Sequence, residues 1–289
     1  MIFDFSGYSL FQDYLQGKVG AEEVLAHPAY RAIQAHATQF GDGLSAQDIE
    51  DAAQGRPSPF FGLKNLQANQ ARMKDLVAAL RTCQEDWLAL ARSTLARLLP
   101  EEDLSTITIY PVIGYDMGIG LRDAVCMNVN HVPYQQQPEE FLYYLIHECV
   151  HVVYERYHKV AALEQVRTAQ EWQDYFALFL QNEGYAVYTP WDLRRARGHL
   201  ADADYRALED GAQMARLGTD FRAVWLALGA ASDWTREQYL EQAFGDQRLT
   251  YRVGSFLIRR IEMQYGMEAV RRAFYLGGRE FVEKYADLL

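Results

Sequence analysis

Residues 141–153 read Phe141-Leu142-Tyr143-Tyr144-Leu145-Ile146-His147-Glu148-Cys149-Val150-His151-Val152-Val153. Nearly every position other than His147, Glu148 and His151 is apolar or aromatic, which predicts a helix that is buried on all sides. The sequence Pro-Glu-Glu at 138–140 marks its start, because proline and carboxylates are favoured in the first turn of a helix. The core of the fold is therefore expected to form around this helix.

His147 and His151 are four residues apart, so both imidazoles lie on one face of the predicted helix and can reach a single metal ion. Glu148 is rotated by about 100° from His147, which leaves it beside a water molecule on that ion. Burying such groups without partners is costly, and a shared metal is the simplest partner. The pattern H-E-x-x-H thus indicates a zinc hydrolase, and the alternative is a pair of core histidines bonded to the backbone.

Catalytic zinc usually has three protein ligands and one open position, so a third ligand is needed. Residues 176–188 form a second apolar helical segment that a single carboxylate, Glu183, interrupts. We expect Glu183 to be the third ligand, and Gly184 after it to allow two helices to approach closely. Glu171 is a rival ligand, although its polar neighbours favour a solvated position.

The motif at 147–151, followed by Glu183-Gly184-Tyr185-Ala186, resembles the HExxH…EGxA arrangement of the gluzincin zinc metallopeptidases. Within that group it is most similar to the peptidase-MA-like predicted zinc-dependent proteases. The resemblance implies Zn²⁺ held by the two histidines and Glu183. It also implies that Glu148 is the general base and acid of the reaction.

A further similarity lies towards the end of the chain. Tyr251-Arg252-Val253-Gly254-Ser255-Phe256 resembles the Y-x-x-G-x-F segment of gluzincin aminopeptidases. In those enzymes the tyrosine lends its hydroxyl to the tetrahedral intermediate. The resemblance therefore implies a catalytic role for Tyr251.

Two segments before the metal helix predict β-strands. Residues 105–113 and 124–132 are rich in β-branched side chains with partial alternation, and the glycine-rich stretch 114–120 between them predicts a loop. By resemblance, residues 124–132 would be the edge strand that pairs with an extended peptide substrate. The alternative is an ordinary hairpin packed on the core.

The predicted architecture is an α+β, predominantly α-helical, zincin-like fold with a small sheet next to the metal helix. We expect a helical N-terminal region at 1–100, a catalytic core at 101–190, and a helical C-terminal region at 191–289 that completes the cleft. A long helix is predicted over residues 64–99.

Composition limits the partners. The chain has 28 basic and 39 acidic residues and a net charge of −11, which argues against nucleic acid as a partner. No apolar run approaches the roughly 20 residues that span a bilayer, and no basic signal-peptide start is present, so no membrane association is expected. The cysteines at 83, 126 and 149 are odd in number, which predicts a cytoplasmic protein without a disulfide framework.

The sequence therefore predicts a zinc metallopeptidase that acts on a peptide or protein substrate. Two alternatives stay open. One is a non-catalytic metal-binding helical scaffold for protein interactions, which a closed site with four ligands would favour. The other is a zinc hydrolase that acts on a non-peptide amide. No pattern in the sequence indicates the oligomeric state or distinguishes endopeptidase from exopeptidase activity.

Overall fold

The computed structural model of the protein describes residues 1–39, 43–57, 60–114, 116–160, 163–230 and 234–289. These residues form a predominantly helical structure with one small sheet, which confirms the predicted α+β class. The strands in this part of the chain are β1 (Ile2–Phe3), β2 (Thr108–Val112), β3 (Gly118–Leu121) and β4 (Ala124–Asn128).

Helices occupy most of the remaining described residues. They are α1 (Ser6–Leu15), α2 (Ala21–Ala26), α3 (Pro28–Gln39), α4 (Ala46–Ala53), α5 (Leu66–Leu95), α6 (Glu101–Leu104), α7 (Val132–Gln136), α8 (Glu139–Tyr157), α9 (Ala169–Tyr188), α10 (Trp191–Ala196), α11 (Ala203–Glu209), α12 (Gly211–Ala230), α13 (Arg236–Phe244), α14 (Leu249–Tyr265), α15 (Met267–Phe274) and α16 (Gly278–Tyr285). The predicted long helix at 64–99 is confirmed as α5, and the two predicted metal helices are α8 and α9.

The sheet has the strand order β1-β2-β4-β3. Strands β1, β2 and β4 run parallel, whereas β3 pairs with β4 in antiparallel orientation. The two strands predicted from β-branched composition are confirmed as β2 and β4. However, β4 lies inside the sheet, so the prediction that residues 124–132 form the edge strand is wrong.

The edges of the described sheet are β1 and β3, and β3 overlaps the glycine-rich stretch at 114–120 that the sequence predicted to be a loop. Tyr115 of that stretch lies outside the described residues. The physical reason for both errors is the same. Strand β4 is flanked by a strand on each side and is buried, which suits β-branched side chains, whereas the glycines of β3 weaken its sequence signal as a strand.

The described chain divides into two compact units. One comprises Met1–Ala96 and Pro100–Val152, and contains the sheet; the other comprises Arg97–Leu99 and Val153–Leu289, and is helical. The division falls within α8, so the last turns of that helix belong to the second unit. The three regions predicted from the sequence, at 1–100, 101–190 and 191–289, stay a prediction.

Helix α9 is the centre of the second unit, and α14 crosses it at a pair of glycines. A Cβ atom on Gly254 would lie 2.1 Å from the carbonyl oxygen of Leu180, and one on Gly184 would lie 2.6 Å from the carbonyl carbon of Gly254. Both distances are shorter than any real contact, so only glycine permits this crossing. The sequence predicted that Gly184 lets two helices approach closely around the ion. A close approach at Gly184 is confirmed, and the helix that makes it is α14; the part of the prediction that concerns the ion stays a prediction.

A second contact ties α8 to α9 within the same unit. The hydroxyl of Tyr154 donates a hydrogen bond of 2.6 Å to Oε1 of Gln181, and both residues are buried. The amide Nε2 of Gln181 in turn donates to the carbonyl oxygen of Ala273 at 2.7 Å. A buried polar network with its partners in place holds a single packing arrangement.

Among the residues that the structure describes, no helix is both long enough and apolar enough to cross a bilayer.

Replacing Gly254 by alanine is expected to lower the free energy of unfolding by roughly 1–3 kcal/mol or more, because the added methyl group meets backbone atoms that cannot rotate away. Gly211→Ala is the control, since a Cβ there meets nothing within 4 Å. Urea unfolding monitored by circular dichroism measures both. Equal midpoints for Gly254→Ala and the wild type would contradict the close crossing.

Candidate metal centre

Helix α8 carries the two histidines of the predicted site. The atoms His147 Nε2 and His151 Nε2 lie 3.1 Å apart, and their rings are nearly perpendicular. His147 is only 8% exposed, and His151 is half-buried. The spacing of one helical turn therefore brings both ring nitrogens to a common point, as the sequence predicts.

That nitrogen separation fits a shared tetrahedral ion. Zinc lies about 2.0–2.1 Å from imidazole nitrogen, so two ligand nitrogens of a regular tetrahedron are ~3.3 Å apart. The same distance also suits an N–H···N hydrogen bond between the rings. The identity of the third group at this point decides between the two arrangements.

Glu183 on α9 is that third group. It is buried, and one ligand atom from each of His147, His151 and Glu183 lies within 4.8 Å of the other two. Helix α8 is continuous, and Tyr154, three residues after His151, is hydrogen-bonded to Gln181, two residues before Glu183. The hydrogen bond thus ties the last turns of α8 to α9 within the second unit.

Two imidazoles and a carboxylate are a donor set suited to catalytic zinc, which takes three protein ligands and keeps one position open. A structural zinc site normally has four protein ligands. The group that the described residues form has three. The residues present therefore fit a catalytic ion better than a structural one.

Glu148 is buried on another side of α8, where it faces the edge strand β3. A Cβ on Gly118 would lie 3.1 Å from Glu148 Cγ and 3.2 Å from Glu148 Oε1. The carboxylate is therefore packed against the backbone of β3 beside the two histidines, as the rotation of about 100° per residue requires.

The second glycine of β3 brings strand and helix even closer. A Cβ on Gly120 would lie 2.2 Å from the backbone oxygen of Glu148 and 3.2 Å from Cβ of His151. Any larger residue at this position would displace α8 at the motif itself. Close contact with α8 thus explains Gly118 and Gly120, whereas the sequence predicted a loop at this stretch.

The rival ligand Glu171 has a different role. It lies at the third position of α9, where its Oε2 accepts hydrogen bonds of 2.9 Å from the backbone N–H groups of Arg167 and Thr168. These bonds lower the pKa of the exposed carboxyl, and they form a capping box with Thr168. Twelve residues of helix, about 18 Å, separate Glu171 from Glu183.

Tyr251 lies in the first turn of α14 and is half-buried. Its ring packs against an apolar cluster formed by Val187, Trp191, Tyr205 and Leu208. Val187 follows Glu183 by one turn on α9, so Tyr251 approaches the stripe of α9 that carries the predicted ligand. This placement is compatible with the role implied by the resemblance.

Two further side chains in the motif segments, Tyr185 and Cys149, belong to the core. The hydroxyl of Tyr185 is buried and donates to the carbonyl oxygen of Val270 at 2.6 Å, which places this side chain in the core. Cys149 is fully buried as well.

Two features of the surroundings were not found from the sequence. The first is the edge strand with Gly118 and Gly120, for which the alternating glycines were the available signal. The second is Arg248, which precedes α14 and stacks on the ring of Tyr251 at 3.6 Å. Nothing in the neighbouring sequence distinguishes this arginine from a surface residue.

Comparisons with protein-family models, with curated proteins and with solved structures find no match to this chain. The resemblance to gluzincin metallopeptidases therefore depends on the motif residues of the sequence alone.

We expect the protein to bind about one zinc ion per chain, and removal of either His151 or Glu183 by alanine substitution to weaken binding by more than about 100-fold, since even outer-shell changes cost 10–100-fold. Glu171→Ala is the matched control on α9 and should keep its zinc. Elemental analysis and competition with a chelator measure occupancy and affinity. Zinc loss in Glu171→Ala with full occupancy in Glu183→Ala would reverse the ligand assignment.

Proposed function

We propose that this protein is a zinc-dependent metallopeptidase of gluzincin type with a zincin-like catalytic region. The observation that carries the proposal is the convergence of His147, His151 and Glu183 within 4.8 Å, with buried Glu148 on the adjacent face of α8. A purely structural metal site would not require a buried carboxylate at that position.

Zinc in this site would supply Lewis acidity, which polarises a carbonyl oxygen and lowers the pKa of water to about 7. The two histidines and Glu183 hold and orient the ion. Glu148 takes a proton from the attacking water and then delivers it to the leaving amine, so one carboxylate acts first as base and then as acid.

Strand β3 supports a role in substrate alignment. It is the last strand of the described sheet, and it lies directly against Glu148. An extended peptide aligned along this strand would bring its backbone close to the general base, and backbone pairing is tolerant of sequence. We therefore transfer the substrate-pairing role, first predicted for residues 124–132, to β3.

Replacing Glu148 by glutamine is expected to preserve the zinc content but to reduce peptide turnover by a factor on the order of 10² or more, because the isosteric amide cannot accept the proton. Glu139→Gln on the same helix is the control. The measurement combines metal analysis with cleavage of a diverse peptide library followed by mass spectrometry.

The same experiment separates the alternative functions. Undiminished turnover in Glu148→Gln would contradict the mechanism. Bound zinc without cleavage of any peptide by the wild type would favour the non-catalytic scaffold or the hydrolase of non-peptide amides. Parallel assays with small amide substrates distinguish these two.

Tyr251→Phe tests the role implied for the hydroxyl. If that hydroxyl stabilises the oxyanion, its removal should lower kcat by roughly 10² with little change in KM, as for the loss of one oxyanion donor. The control is Tyr265→Phe, which removes an exposed hydroxyl from the same helix. A kcat equal to that of the wild type would exclude the role.

A further inference from the structure

Asp204 is a buried carboxylate that contacts two arginines. Its Oδ2 accepts a hydrogen bond of 2.8 Å from Nε of Arg248, and its Oδ1 accepts one of 2.8 Å from Nε of Arg252. Asp204 is 5% exposed. One carboxylate is therefore shared by two guanidinium groups in a protein whose net charge is −11.

The two arginines differ in how much of their hydrogen-bonding capacity is used. Nη1 of Arg252 donates to the backbone oxygen of Asp246 at 3.3 Å, and its side chain is 11% exposed. Neither Nη1 nor Nη2 of Arg248 donates a hydrogen bond to any residue within the described ranges. The Arg248 side chain is 34% exposed, so a ligand from solvent can reach these two groups.

Contacts within the helical unit place Arg248 near the predicted metal ligand of α9. Its guanidinium carbon lies 3.6 Å from the centre of the Tyr251 ring. That ring packs against the cluster that includes Val187, one helical turn after Glu183. Arg248 thus lies on the side of α9 that carries Glu183.

Electrostatics agree with this placement. Burial disfavours the charged guanidinium, but the neighbouring Tyr251 and Asp204 favour it, and Glu183 adds to their effect. The balance raises the pKa of Arg248 above its ordinary value. The side chain is therefore a permanent cation, held in one orientation by Asp204 and by the aromatic ring beneath it.

We propose that Arg248 binds a carboxylate of the substrate, and so makes an anionic group part of what this site recognises. The inference deepens the proposed function and rests on it. A guanidinium with Nε anchored still offers two terminal amino groups in a planar fork, which matches the two oxygens of a carboxylate.

A substrate carboxylate can come from two sources: the C-terminus of a peptide, or the side chain of Asp or Glu. The first would make the protein a carboxypeptidase, and the second would make it selective for acidic residues near the scissile bond. Both are peptide carboxylates, so one set of probes distinguishes them.

The test measures binding to zinc-loaded Glu148→Gln protein, in which turnover is suppressed. The probes are acetyl-tetraalanine with a C-terminal acid, the same peptide with a C-terminal amide, and acetyl-Ala-Ala-Glu-Ala amide. Isothermal titration calorimetry should give at least one carboxylate peptide a Kd roughly 10- to 100-fold lower than that of the neutral amide, as expected for a charge-assisted bidentate contact.

Adding Arg248→Gln to this protein should abolish that preference, and Arg248→Lys should restore only part of it, because an ammonium lacks the fork. Arg252→Gln is the matched control. It also removes a hydrogen bond to Asp204 and is expected to reduce thermal stability, yet it should leave the preference between acid and amide unchanged.

A preference that persists in Arg248→Gln would overturn the inference, because the carboxylate would then bind the zinc or another residue. Equal binding of all three probes to the protein with Arg248 intact would overturn it as well. The proposed function is tested separately, by library cleavage with the wild type. Absence of cleavage together with an Arg248-dependent preference would refute the peptidase while retaining the carboxylate site.

Discussion

Burial of ionisable side chains inside apolar helices is the constraint on which the rest of this structure depends. His147 and Glu148 on α8 and Glu183 on α9 are all less than 10% exposed. Each would be costly to bury alone, whereas two imidazoles and a carboxylate that shared an ion would satisfy one another. The elements packed against α8 and against α9 therefore have to leave the positions of these side chains undisturbed.

Glycine permits close packing beside these side chains at two places. On one side of α8, Gly120 lets the edge strand β3 lie against the backbone of Glu148. On α9, Gly184 lets α14 cross directly after Glu183, which brings Tyr251 and Arg248 to the stripe of α9 that carries Glu183. Each glycine weakens its own strand or helix, and the tight packing offsets that local cost.

The arrangement of charge beyond the ligands suggests how such a site could choose a substrate. Asp204 orients Arg248 through Nε and is shared with Arg252. The terminal amino groups of Arg248 make no hydrogen bond to the described residues and so keep their hydrogen-bonding capacity. A buried anchor that orients a partly exposed cation is a common way to prepare an anion site without any rearrangement on binding.

The sequence by itself predicted the buried helix with the H-E-x-x-H motif, the common face of its two histidines and the α+β class, because these depend on local periodicity and on a motif of five residues. It also favoured Glu183 over Glu171, since an apolar run around one carboxylate indicates burial. Only the tertiary structure decided that β3 is the edge strand and that Glu171 caps a helix. It also decided that Arg248 lies beside the predicted site. Strand order, helix crossings and the charges around a site depend on contacts between residues far apart in the chain, and no local pattern records those contacts.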